Sequence, residues 1–100
     1  MGRIEENENR LDNLNSIVLS LDKKLDDFED SIQEYVTLNK YYGSKKWFKD
    51  KEDFEKGKIK NVKAGVLSED AVWDLDEKTR DLINHMEKIV KQFNENNVSK

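Results

Sequence analysis

The sequence predicts an all-α chain: a long N-terminal heptad helix, a short middle helix and a long C-terminal helix, arranged as an antiparallel coiled-coil-like hairpin or a three-helix bundle. Three observations lead there. Apolar residues recur at alternating spacings of three and four through the first forty positions, the repeat that lines one face of a helix. Proline is absent and only four glycines occur in 100 residues, so few positions interrupt a helix. Charged types make up 40% of the chain and apolar types 35%, a balance that suits long helices better than a thick globular core. At this length folding buries only about 60–65% of the unfolded surface. A single domain is expected.

The first helix is expected over about residues 3–41. With Ile4 at heptad position a, the later a positions are Leu11, Val18, Leu25 and Ile32, and the d positions are Asn7, Leu14, Leu21, Phe28, Tyr35 and Tyr42. Leu11, Leu14, Val18, Leu21, Leu25, Phe28, Ile32 and Tyr35 form a seam suited to self-association. Ile17, Val36 and Leu38 widen it, as packing against more than one neighbour requires. Such a helix is about 58 Å long. Gly43 stands where a left-handed residue closes a helix. Ser44 then reads as the N-cap of a short helix, about 45–56, carrying Trp47, Phe48 and Phe54.

Gly57 ends the short helix, and residues 57–67 form an ordered connection without a helical stripe. Ser68 reads as the next N-cap, with Glu69 and Asp70 favourably placed in the first turn and Leu67 and Val72 as a hydrophobic staple. The last helix, about 69–94, repeats Val72, Leu75, Leu82, Met86, Ile89 and Phe93 in heptad spacing. A frayed tail is expected at 95–100.

Charge is unevenly spread. Residues 1–39 carry a net of −6, residues 40–63 a net of +5 and residues 64–100 a net of −3. The nine lysines of the middle segment could form an anion or nucleic-acid surface. The preferred reading is that they face the chain's own acidic helices or keep the surface solvated. The overall charge of −4 and the lack of arginine in this segment weigh against base readout, so no nucleic-acid partner is expected.

The chemistry-bearing motifs are few. His85 is the only histidine, and with Asp81 it makes too small a ligand set for zinc. Asp70, Asp74, Glu77 and Asp81 share a helix face but lack the internal glycine of a calcium loop. Gly57-Lys58 fails the phosphate-loop pattern, since Glu52 and Ile59 replace its glycine and hydroxyl residue. Neither a nucleophile elbow nor a cysteine occurs. No enzyme, cofactor or metal site is therefore expected. The absence of cysteine fits a reducing compartment, the N-terminus lacks the apolar run of a signal peptide, and no stretch is apolar enough to cross a membrane. A cytoplasmic protein is expected.

More specific than these are two blocks, Tyr41-Tyr42-Gly43-Ser44-Lys45-Lys46-Trp47-Phe48-Lys49-Asp50 and Gly65-Val66-Leu67-Ser68-Glu69-Asp70-Ala71-Val72-Trp73-Asp74-Leu75. They resemble the bacterial family known as domain of unknown function 4298, found largely in Gram-positive bacteria. This chain departs from the family pattern at Ala64, where a basic residue is expected, and lacks a proline at Lys60 or nearby. The resemblance implies a small all-helical protein with no assigned activity.

Both blocks coincide with helix boundaries. Their glycines, serines and aromatics have structural work available, including a knot of Tyr41, Tyr42, Trp47 and Trp73. The alternative is a partner surface formed by the exposed part of that knot together with Asp50, Glu69 and Asp70, because tryptophan and tyrosine anchor both cores and interfaces. The leading functional expectation is protein–protein association, with a homodimer through the first helix as the first step. The runner-up is an anion- or nucleic-acid-binding accessory protein using residues 40–63. A helical immunity or secretion-associated protein is a third reading, by architectural analogy.

Overall fold

A computed structural model describes residues 2–96 of the chain. It contains α1 (Arg3–Tyr41), α2 (Lys45–Glu55), a single 3-10 turn (Gly65–Leu67) and α3 (Ala71–Glu95). Among the described residues there is no strand, so the chain is all-α. Of the tail expected to fray, residues 97–100 lie outside the described residues.

The 39 residues of α1 carry Glu5 and Glu6 in the first turn and Lys40 in the last, each placed against the opposite end of the helix dipole. The helix stops where Gly43 takes a φ of 76°, a conformation that is costly for any residue with a Cβ. There the Ser44 N–H turns back to the Tyr41 carbonyl at 3.0 Å.

Ser44 then caps α2, its hydroxyl accepting the Trp47 N–H at 3.2 Å. The far end of α2 closes in a Schellman arrangement around Gly57, also at φ 76°. The Lys58 N–H reaches the Asp53 carbonyl at 2.9 Å and the Gly57 N–H reaches Phe54 at 3.0 Å. These two bonds satisfy carbonyls that the helix itself leaves open.

The start of α3 corrects the sequence reading. Ser68 does not cap this helix; it closes the 3-10 turn, donating its N–H to Gly65 at 3.1 Å. Its hydroxyl accepts the Asp70 N–H at 3.2 Å, only two residues on. That local turn consumes the serine before a helix can form above it. The N-cap position falls to Asp70, whose side chain makes no capping bond. Leu67, bound into the 3-10 turn, is not the residue before the cap, so the expected staple does not arise.

The chain divides into two compact units, one ending at Thr37 and one beginning at Leu38. The first is a helical rod of α1 in which no residue is buried, so it builds no core of its own. The second closes on Trp47 and Val72, each only 3% exposed. Along α3, Leu82, Ile83, Ile89, Val90 and Phe93 are exposed, while Met86 is half-buried.

Candidate functional site

The two sequence blocks meet in the second unit. Trp47, in the first turn of α2, is the hub. Its indole N–H donates to the Val66 carbonyl at 2.8 Å, which ties α2 to the 3-10 turn. Its ring meets Tyr42 edge-on, with centroids 5.1 Å apart and planes at 68°. Phe48 meets it similarly at 4.9 Å and 80°. Edge-to-face contacts of this kind set the positive ring edge against the negative ring face.

The hydroxyls of Tyr41 and Tyr42 both have partners. Tyr41 donates to Asp50 Oδ2 at 2.6 Å. Accepting that proton, Asp50 stabilises the neutral phenol, so the Tyr41 pKa is raised, with partial burial and the nearby negative charge adding to the effect. Tyr42 donates to the backbone carbonyl of Glu69. The Asn39 side-chain amide, in the last turn of α1, reaches Asp76 of α3 at 3.4 Å.

Lys51 completes the cluster. Its ammonium lies 5.3 Å from the Trp47 ring centroid and 2.8 Å from Glu69 Oε1. The hydrogen bond between them raises the Lys51 pKa and lowers that of Glu69. Glu69 is exposed while Lys51 is half-buried, so salt still screens this pair at the surface.

Of the residues singled out in the sequence, Tyr41, Tyr42, Ser44, Trp47, Asp50, Ser68, Glu69 and Asp70 are therefore engaged in the turns and the cluster. Gly43 and Gly65 supply the turns. Trp73 does not join the knot: it is 59% exposed, while the adjacent Val72 is buried. Successive helical residues diverge by about 100°, and the smaller side chain is the one turned inward. Sequence reasoning missed Lys51, which the i, i+4 spacing from Trp47 on α2 could have revealed. It also missed Val66, because a backbone acceptor leaves no trace in residue type.

The polar handles of the knot are spent internally. The outward portion is Phe48, at 60% exposure, and an open, shallow cleft whose lining includes Lys51, Phe54, Leu67 and Glu69. Four of the nine lysines in residues 40–63 also have acidic partners: Lys49 with Asp53, Lys51 with Glu69, Lys56 with Glu52 and Lys58 with Asp53. Among the described residues no three His, Cys, Asp or Glu gather as a metal site, and no helix is long and apolar enough to cross a membrane.

The seam of α1 is the other candidate. Leu11, Leu14, Val18, Leu21, Leu25 and Ile32 are each between 42% and 62% exposed, on one helix face, with Phe28 and Tyr35 half-buried.

A family model described as a domain of unknown function, DUF4298, matches residues 4–89. No curated protein and no solved structure matches the chain.

Proposed function

The chain belongs to the DUF4298 family, and from that premise we propose that it is a non-enzymatic cytoplasmic protein working through protein–protein association. Self-association along α1 is its first step.

One observation carries the reading: six large aliphatic side chains form a continuous heptad stripe and all stand open to water. Apolar area costs about 25 cal/mol per Å² when left exposed. A contiguous stripe of that kind marks an interaction surface. The internal hydrogen bonding of Tyr41, Tyr42 and Trp47 supports a structural role for the knot, with association assigned to the seam. Acidic partners on four of the middle lysines leave that segment a weaker anion surface. A cysteine-free sequence fits a reducing compartment.

Light scattering behind size exclusion, across protein concentration and salt, tests the proposal. A dimer that becomes monomeric when Leu14→Asp and Leu21→Asp are combined is the expected result. A monomer at every concentration would overturn it.

A further inference from the structure

We propose that α1 pairs with a second copy of this chain in a parallel, in-register, two-stranded coiled coil. The inference rests on the self-association reading and adds the orientation and number of strands.

The charges flanking the seam carry the argument. With Ile4 at a, the charged g positions are Arg3, Arg10 and Lys24, all basic, and the charged e positions are Glu8, Asp22 and Glu29, all acidic. In a parallel pair, g of one strand faces e of the following heptad on the other. Arg3 then meets Glu8 of the second copy, and Lys24 meets Glu29, each twice by symmetry. Arg10 faces Asn15 and Ile17 faces Asp22, so no like charges oppose. An antiparallel pair instead sets g against g and e against e. Every charged pair it could form would join like signs. The chain thus opposes one orientation and favours the other, as specific interfaces do.

Two further observations agree. Three of the five a positions, Ile4, Val18 and Ile32, are β-branched, alternating with Leu11 and Leu25, and leucine fills d at Leu14 and Leu21, a pattern on the side of two parallel strands. Moreover, none of the six flanking charges has an ion-pair partner in its own chain among the described residues. Arg10 is held only by a neutral bond to Asn7 Oδ1 at 3.2 Å, and the six charges are left for a second helix.

The protein has no cysteine, so an introduced thiol is its only one. Asn7 stands at d and is exposed. In the parallel pair the two Asn7 positions lie side by side. In an antiparallel pair with aligned ends, each would lie about 45 Å from the other.

The experiment uses the full chain in a glutathione redox buffer, with light scattering for mass and non-reducing electrophoresis for cross-linking. A dimeric mass with covalent dimer from Asn7→Cys is expected, as from the central Leu21→Cys. A dimer in which Leu21→Cys cross-links and Asn7→Cys does not would overturn the orientation and leave self-association standing. A trimeric or larger mass would overturn the strand number. A monomer would overturn the reading beneath both. Charge reversal adds an independent arm. Arg3→Glu with Lys24→Glu should raise the dissociation constant about tenfold, and adding Glu8→Lys with Glu29→Lys should restore it. An unchanged constant on the first reversal would overturn the parallel pairing.

Discussion

Trp47 is the side chain on which the second unit closes, and its neighbours explain why. Its ring is buried between Tyr42 and Phe48 while its one donor is satisfied by Val66, so truncation leaves both a void and an unpaired carbonyl. Trp47→Ala should cost about 3–5 kcal/mol, read as a fall in melting temperature by near-ultraviolet circular dichroism. Trp73→Ala, at an exposed position, should stay within about 0.5 kcal/mol. Tyr41 adds a pH dependence. Its pKa is raised by the Asp50 hydrogen bond, so the folded state holds the phenolic proton more tightly than the unfolded one. The associated stability is complete below the unfolded value of about 10 and is lost as pH climbs through the folded value. Melting temperatures of the protein and of Tyr41→Phe, compared across that alkaline window, should converge as pH rises. These contacts were only partly visible in advance. The aromatic residue types announced a cluster, but the exposure of Trp73 depends on which of two adjacent helical positions turns inward.

Among the elements, the two ends of α2 show local signals acting as residue type dictates, since capping depends on groups within four positions of one another. Ser44→Ala should cost about 1 kcal/mol, because its hydroxyl holds the Trp47 N–H. Asp70→Ala should change stability by less than about 0.5 kcal/mol, because that side chain makes no capping bond at α3. Urea denaturation of the two variants would check the contrast. The difference between them is also where sequence reading failed. Ser68 has the right identity for a cap, yet its hydroxyl had two competing donors. It takes the nearer one, the Asp70 N–H two residues away.

For the whole molecule, the division at Thr37 and Leu38 separates a unit with a small core from a helical rod with none. An isolated helix gains little from its own hydrogen bonds and draws most of its stability from packing. Amide hydrogen exchange in residues 3–37 should therefore slow as protein concentration rises, while exchange around Trp47 should not. Equal protection in both regions at every concentration would contradict the self-association of α1.

The heptad spacing, the missing proline, the glycine–serine pair at 43–44 and Gly57 determined that the chain is helical, where α1 ends and where α2 begins and ends. Those signals act within a turn or two of backbone, so residue order alone carries them. The sign of each charge beside the seam is equally a property of order. Tertiary structure alone decided that Val72 rather than Trp73 is buried, that the Trp47 indole meets the Val66 carbonyl, and that Lys51 reaches Glu69. Each of those outcomes turns on contacts between residues distant in sequence, where geometry selects among partners that residue type leaves equally eligible.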